Sequence, residues 1–400
     1  MLPLDGVKVV DLTRILSGPF CTMTMADLGA EVFKIETPHG DDTRQWGPPF
    51  IENESAYYLS VNRNKKSMVL NLKEEKGREI LYKLVKEADV VVENFRPGTI
   101  KRLGADYETL KSINPKIILA SISGFGQTGS YSQKPGYDVL AQGMGGLMSV
   151  TGEPNRPPVK AGFSIADIGT GMWAIIGILS ALRERDISGK GQWVDASLLE
   201  TIISWQTYFA GNYFATKKDP EPLGGAHPNI VPYQVFKASN GFFILAVGND
   251  QLWKKLVEVL DDNQLRQSKF ATNPQRVENR KELIPILEER FSNKTVDEWV
   301  ELFENIKIPV GPVNKFSDIL ESQFAKERDM VVKAKHPKVG DIKMLGVPVK
   351  LSRTPGKIQS TPPSLGEHSE EILEQLGYSK EDVQQFIKEG ITSKDDKQIT

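Results

Sequence analysis

One carboxylate stands out among the side chains of this sequence that could do chemistry. Asp167 precedes an apolar run with no further charge until Arg183, and Gly169 and Gly171 follow it closely. Glycine costs a helix about 0.5–1 kcal/mol relative to alanine, so these glycines favour room for a ligand or close backbone packing. A helix N-terminus is expected to keep a carboxylate ionised and therefore nucleophilic. The segment predicts covalent catalysis by Asp167, while a plain N-cap role for this aspartate stays open.

The other reactive side chains are few. One cysteine, Cys21, and four scattered histidines form no cluster with zinc-ligand spacing, so we expect no metal site. A single cysteine excludes an intramolecular disulfide and favours a reducing, cytoplasmic location. The formal net charge of −2 provides no basic field to attract nucleic acid or anionic lipid. We therefore expect no metal and no nucleic-acid partner.

The apolar run after Asp167 is the segment most similar to a membrane span. Ile168 to Leu182 covers 15 residues, and a bilayer needs roughly 20. The run therefore predicts a buried helix and no contact with a membrane.

The elements that must position Asp167 begin with short β-rich segments that alternate with helical patterns. The β-rich segments are residues 7–13, 31–37, 67–73, 89–95 and 116–123. Their continuous apolar runs are typical of parallel strands that helices cover on both faces. The first part of the chain therefore predicts a large α/β domain with a doubly wound, Rossmann-like parallel sheet.

A Pro/Gly-rich passage at 219–232 breaks the periodicity and marks a domain boundary. We assign residues 1–215 to the large domain and 216–229 to a linker that contains a glycine loop. A hairpin around Asn240 followed by helical patterns predicts a smaller α+β domain over 230–325. The tail predicts a hairpin over 338–351, a helix from Ser369 and a frayed end at 391–400.

The segment GFGQTG, residues 124–129, matches a dinucleotide-binding fingerprint after a strand. That fingerprint needs a helix to open at its third glycine, and Pro135 and Gly136 follow too soon for one. We therefore expect neither NAD nor a flavin.

A series of motifs runs through nearly the whole chain. They are PLDGVKVVDLTRILSGP, LGAEVFKIE, NRNKKSMVLNLK, VVVENFRPG, ILASISGFGQTG, SGKGQWVDASL, GGAHPNIVPYQVF and LGEHSEEIL. In these motifs the chain resembles the class III CoA-transferases, the family that includes formyl-CoA transferase and carnitine CoA-transferase. It is most similar to the branch that acts on succinyl-CoA and dicarboxylic acids.

The resemblance implies a reaction for Asp167. The aligned aspartate of the family attacks an acyl-CoA thioester to form an aspartyl anhydride, and CoA then forms an aspartyl-CoA thioester with it. Coenzyme A is thus a substrate and product, and the small-molecule partners are an acyl-CoA and a carboxylic acid. The resemblance also implies a homodimer of interlocked rings, in which residues 326–400 return to the large domain.

The resemblance assigns further residues to the site. The CoA-binding positions are Ile15, Leu16, Ser17, Leu70, Lys73, Asn94, Phe95, Arg96, Arg102, Tyr137 and Asp138. Cations among them suit the phosphates of CoA, although each taken alone is typical of a solvated surface charge. The acyl and acceptor site takes in Tyr57 with the loop glycines Gly224 and Gly225. Arg14 and Arg44 are hypothesised to pair with the distal carboxylate of a dicarboxylic acid.

Two other functions stay open. The same scaffold hosts the α-methylacyl-CoA racemases. The resemblance implies that these enzymes use a histidine as an acid or base in a short motif, and in this sequence Tyr137 stands in the place of that histidine. Racemisation is therefore disfavoured. A non-catalytic CoA-binding protein is the second alternative. Leu16 stands where formyl-CoA transferase has a polar glutamine, Thr37 lies near the position of a CoA-binding arginine, and the glycine segment is much shorter. These departures argue against oxalate and formate as substrates.

Overall fold

The structure is a computed structural model that describes residues 1–393. Most of the predicted frayed end, residues 394–400, lies outside the described residues. The chain divides into two units. The larger contains Met1–Leu147, Lys160–Gly211 and the residues from Ala325 onward, and the smaller contains Met148–Val159 and Asn212–Phe324.

The strands are short, and most belong to one sheet. In chain order they are β1 (Lys8–Asp11), β2 (Glu31–Glu36), β3 (Phe50–Ile51), β4 (Glu54–Ser55), β5 (Lys65–Val69), β6 (Val90–Glu93), β7 (Ile118–Ser123), β8 (Trp193–Ser197), β9 (Tyr233–Lys237), β10 (Phe242–Ala246), β11 (Val310–Pro312), β12 (Val331–His336) and β13 (Gly340–Leu345).

The helices range from single turns to one of 24 residues. In chain order they are α1 (Ser17–Asp27), α2 (Ala56–Val61), α3 (Glu75–Glu87), α4 (Thr99–Arg102), α5 (Tyr107–Ile113), α6 (Asp138–Met144), α7 (Leu147–Val150), α8 (Ile165–Ser188), α9 (Leu198–Ser204), α10 (Thr207–Thr216), α11 (Asp250–Leu260), α12 (Asn273–Glu278), α13 (Arg280–Phe291), α14 (Val296–Asn305), α15 (Phe316–Leu320), α16 (Gln323–Glu327), α17 (Ser369–Gln375) and α18 (Lys380–Lys388).

The large sheet has six parallel strands in the order β5-β2-β1-β6-β7-β8. The chain moves outward from β1 to β5 on one side and then returns to start the other side with β6. The carboxyl ends of β1 and β6 therefore form a topological switch point, which is where open α/β sheets bind ligands. The predicted α/β fold with a large parallel sheet is confirmed.

The two faces of this sheet carry separate apolar cores. Val9 and Val10 of β1 point to opposite faces, because successive side chains of a strand alternate. Helices α1 and α8 cover the face of Val9, and α3, α17 and α18 cover the face of Val10. The sheet is therefore buried on both sides.

The third long strand lies earlier than the sequence predicts. It runs over Lys65–Val69, whereas the apolar pattern predicts 67–73. Lys65 is buried with only 2% of its surface exposed and is paired with Asp11, so a charged residue stands inside the sheet. A pattern of hydrophobicity cannot predict this, because it assigns lysine to the surface.

The smaller unit has its own core. The predicted hairpin around Asn240 is present as β9 and β10, which β11 extends to a three-stranded antiparallel sheet. Helices α11, α13 and α14 supply most of the remaining apolar side chains of this core.

The unit boundaries differ from the sequence assignment. Residues 148–159, assigned to the large domain, and 216–229, assigned to a linker, both belong to the smaller unit. The N–H of Gly224 donates to the carbonyl of Gly152 (2.8 Å), and the N–H of His227 donates to the carbonyl of Tyr233 (2.9 Å). These backbone bonds attach both segments to the smaller unit.

The tail contains a hairpin in a different register. Strands β12 and β13 pair across the turn before Gly340, so the first strand lies upstream of the predicted segment 338–351. Residues 391–393, predicted to fray, are held in place. The hydroxyl of Thr392 donates to the carbonyl of Val69 (2.7 Å), and the carbonyl of Ile391 accepts from Asn71 (2.8 Å).

Helix α8 is longer than its apolar run suggests. Within residues 1–393 it alone is long and apolar enough to cross a membrane by length and composition, and 44% of its most apolar window is buried. Ala174, Ile178 and Ala181 pack into the core between α8 and the sheet. Its packing is that of a core helix in the larger unit.

Candidate active site

The loop after β1 lies at the switch point and is fixed by side chains from neighbouring segments. The side-chain carbonyl of Asn94 accepts from the N–H of Arg14 (2.9 Å), and its amide donates to the Arg14 carbonyl (2.7 Å). Ile15 has a φ of +72°, which strains a β-branched residue, and its N–H donates to the Asp41 carboxylate (3.1 Å). The loop therefore has one imposed conformation, as expected of a binding loop.

Ser17 opens helix α1 directly after this loop. Its side chain is 3% exposed, yet its Oγ has no hydrogen-bond partner among the described residues. Leu16, the N-cap residue, offers no polar side chain, so the first N–H groups of α1 also lack a side-chain cap. A buried hydroxyl without a partner beside a helix N-terminus fits a site for a polar ligand group.

Buried ion pairs support the loop from below. Lys34 is fully buried, and its Nζ donates to Asp41 (2.9 Å) and to the carbonyl of Thr13 (3.0 Å). Burial alone would raise the pKa of Asp41, but the charge of Lys34 together with the hydrogen bonds from Lys34 and Thr43 outweighs burial and lowers the pKa. Burial lowers the pKa of Lys65, the partner of Asp11, to about 8. Sequence analysis missed these groups, because charged residues in strands read as exposed.

Arg44 requires a correction. It makes two hydrogen bonds to the Glu36 carboxylate (2.8 and 2.7 Å), and it also donates to the hydroxyl of Tyr58 (2.6 Å). The side chain is 10% exposed. The hypothesis that Arg44 pairs with a substrate carboxylate is therefore wrong for this geometry, because the Nε and Nη2 donors of Arg44 are already bonded to Glu36.

Arg14 has the opposite environment. Its side chain is half exposed and pairs with Asp42 (3.0 Å), which is equally exposed. An exposed pair of this kind is worth little and exchanges readily with other partners. Arg14 thus keeps the capacity to bind an incoming carboxylate at the mouth of the switch point.

The remaining predicted CoA positions follow the carboxyl ends of β5 and β6, and all but Arg102, the last residue of α4, lie on loops. Lys73, Arg96 and Arg102 are exposed, and none of them makes a salt bridge within residues 1–393. Phe95 is partly buried against the core. The Leu70 side chain lies inside the core at 1% exposure, so this residue can offer a ligand only its backbone. No group of three or more potential metal ligands occurs in the same described range.

Asp167 is the third residue of helix α8 and not its cap. The helix begins at Ile165, and the N-cap residue Ser164 makes no side-chain cap bond. Instead, Oδ1 of Asp138 accepts from the N–H of Ala166 (2.8 Å) and from that of Asp167 (3.4 Å). A carboxylate from helix α6 thus caps helix α8.

Gln142 fixes the Asp138 carboxylate from one turn further along α6. Its Nε2 donates to Oδ2 of Asp138 (2.6 Å), and its Oε1 accepts from the N–H of Ala161 (2.8 Å). Gln142 is fully buried. Both oxygens of Asp138 are therefore engaged by the protein, which does not fit the CoA-binding role assigned from resemblance. The i,i+4 spacing of Asp138 and Gln142 was a signal that sequence analysis could have used.

The pKa of Asp167 corrects a second expectation. Burial, together with the negative charge of Asp138, raises the pKa of Asp167 to about 7. The helix N-terminus was expected to keep this carboxylate ionised, but Asp138 occupies the N–H groups that would do so. Asp167 is consequently a strong base for an aspartate.

The glycines around Asp167 serve packing. A Cβ on Gly171 would lie 2.7 Å from the Ser17 carbonyl, so this glycine lets α8 approach the start of α1. Gly169 lies against the ring of Trp205. Of the two possibilities that the sequence left open, close packing is the one the structure contains at these positions.

The motif GFGQTG also serves close backbone approach. A Cβ on Gly124 would lie 2.6 Å from the Cα of Gly136, so both positions need glycine. This contact brings the end of β7 to the residues that precede α6, and the helix opens at Asp138. The glycines therefore place Asp138 near Asp167.

Tyr57 is the predicted acyl-site residue that the structure brings into the field of Asp167. Burial, followed by the charge of Asp167, raises the pKa of Tyr57 to about 12, so its phenol is neutral. The ring of Trp46 makes an edge contact with it at 5.2 Å between centroids. Sequence analysis missed Trp46, which is 42% exposed. Tyr137, predicted beside Asp138, is 62% exposed.

The glycine loop belongs to the smaller unit. Gly224 has a φ of +59°, and a Cβ there would lie 2.6 Å from Oε1 of Glu153. A Cβ on Gly225 would lie 2.8 Å from the Val235 side chain. The positive φ of Gly224 and the contact of Gly225 with Val235 therefore favour glycine at both positions within this unit.

The chain is similar to known proteins along nearly its whole length. Residues 4–369 match the family model described as CoA-transferase family III. The chain is 42% identical to succinyl-CoA:glutarate CoA-transferase of Homo sapiens, over 97% of this chain and 90% of that protein. It is 40% identical to acetyl-CoA:oxalate CoA-transferase of Acetobacter aceti, over 88% and 89%.

A solved structure agrees with the fold. The crystal structure of a CAIB/BAIF family protein from Brucella suis matches with a TM-score of 0.84 and 44% identity, over 94% of this chain and 99% of that one. Family model, relatives and fold thus agree over nearly the whole chain. The protein belongs to CoA-transferase family III and is an enzyme of this class.

Proposed function

We propose that the enzyme moves CoA from succinyl-CoA to a second dicarboxylic acid, with Asp167 as the nucleophile. The observation that carries the proposal is the state of Asp167. It is a partly buried carboxylate whose pKa is raised to about 7, and its charge helps to keep the phenol of Tyr57 neutral. A basic carboxylate at the start of a helix is suited to attack a carbonyl carbon.

The first half of the reaction loads CoA onto the enzyme. An ionised Asp167 oxygen attacks the thioester carbonyl, the C–S bond breaks, and CoA leaves as a thiolate. The product is an anhydride between Asp167 and the acyl group. The thiolate then attacks the Asp167 carbonyl of the anhydride, and succinate leaves as a carboxylate. An aspartyl-CoA thioester remains.

The second half repeats these steps with the acceptor. Its carboxylate attacks the aspartyl-CoA thioester, which releases the CoA thiolate and forms a second anhydride. The thiolate attacks the acceptor carbonyl of this anhydride, and Asp167 leaves as a free carboxylate. Atoms and charges balance without any further reactant, so the protein's task is to position groups and exclude water.

The switch point is the proposed CoA site. The unpartnered hydroxyl of Ser17 and the uncapped N-terminus of α1 can hold a polar group of CoA. Lys73 and Arg96 on the adjoining loops and Arg102 at the end of α4 can bind its phosphates. The rigid loop at Ile15 supports this site, because pre-organised groups lose little entropy when the ligand binds.

A dicarboxylic acceptor is supported by the relatives and by Arg14. The human relative is named for succinyl-CoA and glutarate, and the relative from Acetobacter aceti for acetyl-CoA and oxalate. Both acceptors carry two carboxylates. The half-exposed Arg14 can exchange Asp42 for the distal carboxylate of such an acid. The oxalate relative also removes the reason to set oxalate aside.

A homodimer is part of the proposal. Met172, Ile176 and Leu179 of α8 form an apolar stripe, and each is 36–51% exposed although the helix lies in a core. Trp173 and Ile203 extend this exposed surface. A second copy of the chain would cover it, as the family's interlocked rings do. Light scattering after gel filtration should give twice the chain mass, and a monomer at all concentrations would contradict this part.

The experiment that tests the function is a panel of acceptors. With succinyl-CoA as donor, glutarate and oxalate should each be compared with butyrate, which lacks the second carboxylate. We expect new thioesters with dicarboxylic acids and at least tenfold lower kcat/KM for butyrate. Failure to form any new thioester would overturn the proposal, and equal rates for butyrate would overturn the dicarboxylic assignment.

A further inference from the structure

Asp138 and Asp167 are two carboxylates at one helix N-terminus, and they have unequal partners. Oδ1 of Asp138 takes the N–H groups of Ala166 and Asp167, and Oδ2 takes the amide of Gln142. Asp138 is therefore the satisfied member of the pair. The carboxylate of Asp167 is destabilised by burial and by repulsion from Asp138, and the N–H groups of its own helix do not compensate for this, because Asp138 accepts from them.

We propose that Asp138 is a positioning residue that activates Asp167, because it caps α8 in place of Asp167 and opposes the negative charge on it. The proposal rests on the proposed function, since it concerns the nucleophilic attack by Asp167. A carboxylate that accepts two N–H bonds must weaken them before it attacks. Asp138 removes this cost by holding those N–H groups itself.

The charge of Asp138 also favours the product of the first step. Asp167 is negative before the attack and neutral in the anhydride, while the negative charge leaves on the CoA thiolate. The repulsion from Asp138 is therefore relieved as the new C–O bond forms and the C–S bond breaks. An interaction that destabilises the free carboxylate more than the transition state accelerates the step.

The other titratable groups around the start of α8 do not provide this charge. Tyr57 on α2 is neutral, and burial raises the pKa of the Cys21 thiol on α1, so it is neutral too. Glu200 on α9 accepts from the hydroxyl of Ser197 (2.6 Å), and its charge is not among the causes of the raised pKa of Asp167. Asp138 is the charged residue that acts on Asp167 within residues 1–393.

The variant Asp138→Asn removes the charge and keeps an oxygen that can accept the α8 N–H groups, and its amide nitrogen replaces only the oxygen that accepts from Gln142. We expect the acid limb of kcat/KM to move from about pH 7 to about one unit lower, a tenfold change in proton affinity. At high pH the variant should be about threefold slower, if carboxylate nucleophilicity follows basicity with a slope near 0.5. The variant should therefore be faster than the wild type at pH 5.5 and slower at pH 8.5.

Two further variants control this test. Asp106→Asn alters an aspartate that caps helix α5 through the N–H of Thr109, and we expect it to leave the acid limb unchanged. Asp138→Glu keeps the charge, so its acid limb should stay at the wild-type position even if its plateau falls. Thermal unfolding should show that each variant is folded.

An Asp138→Asn profile that is lower at every pH, with its acid limb unmoved, would overturn the proposal. If that variant does not fold, Asp138→Ser supplies a smaller uncharged acceptor, and loss of folding in both would make Asp138 a structural residue only. The proposed function can fail or hold independently of this proposal. If the wild-type enzyme forms an adduct at Asp167 but the acid limb of Asp138→Asn does not move, the proposed function stands and only the role of Asp138 is rejected.

Discussion

The carboxylate of Asp138 caps the helix that carries Asp167, with Oδ1 of Asp138 2.8 Å from the N of Ala166 and 3.4 Å from the N of Asp167. The two acids have different partners as a result. Asp138 is hydrogen bonded on both oxygens, whereas burial and the charge of Asp138 raise the pKa of Asp167 to about 7. Environment thus gives two neighbouring carboxylates two roles.

The raised pKa predicts that Asp167 destabilises the fold. In the unfolded chain its pKa is near 3.8, so between pH 4 and 7 the unfolded state releases the proton first and stability is lost as pH rises. The difference of roughly three units corresponds to at most about 4 kcal/mol above pH 7. Asp167→Asn should therefore raise the free energy of unfolding at pH 8 clearly more than at pH 4.5, while it abolishes activity.

Urea unfolding at the two pH values measures this effect. Asp186→Asn, a change of an exposed acid near the other end of the same helix, is the matched control and should alter stability little at either pH. An Asp167→Asn protein no more stable than the wild type at pH 8 would mean that the ionised carboxylate is not strained.

The Lys34–Asp41 pair should be required for stability and for CoA binding. Both side chains are at most 1% exposed, and Asp41 also holds the N–H of Ile15. Lys34→Met leaves Asp41 buried without its partner, which typically costs about 3–5 kcal/mol. We expect this loss in urea unfolding, together with a raised KM for succinyl-CoA.

Lys8→Met provides the comparison for this pair. Lys8 lies in the same sheet, but its pair with Glu87 is exposed. Its loss should cost no more than about 1 kcal/mol and leave the KM for succinyl-CoA unchanged. Equal losses of stability in both variants would show that the buried pair contributes no more to the free energy of unfolding than the exposed pair does.

Substitution of Arg14 should affect substrate recognition, whereas substitution of Arg44 should affect the stability of the fold. Arg14→Ala removes an exposed side chain, so we expect a raised KM for glutarate, little change for butyrate and an unaltered fold. Arg44→Ala breaks the buried bonds to Glu36 and should lower stability, with no preference between the two acids. Steady-state kinetics with both acids tests this, and equal effects of Arg14→Ala on both would exclude a distal-carboxylate role.

Sequence analysis predicted the parts of the fold that follow from periodicity. The parallel sheet, the alternation of its strands with helices and the hairpin of β9 and β10 were all visible as sequence patterns. The strand at Lys65 was displaced and the one at Trp193 was not predicted. Lys65 is stabilised in the core by Asp11, which lies 54 residues away along the chain, and no local pattern contains that contact.

The sequence pointed to the proposed nucleophile, Asp167, but not to the carboxylate that caps its helix. Small neighbours and family motifs pointed to Asp167, whereas Asp138 was assigned to CoA binding because it stands in a family motif. Its capping of α8 joins residues 28 apart through the contact of Gly124 with Gly136. The buried position of Arg44 depends likewise on Glu36 and Pro363, and chain order alone brings neither to it.

The most direct test of the account is to trap the enzyme-bound intermediate. The wild-type enzyme should be incubated with succinyl-CoA, treated separately with hydroxylamine and with borohydride, digested and analysed by mass spectrometry. The account predicts a modification on the peptide that contains Asp167, at Asp167 itself, and none in Asp167→Asn. An unmodified Asp167 in enzyme that turns over succinyl-CoA, or full activity in Asp167→Asn, would contradict it.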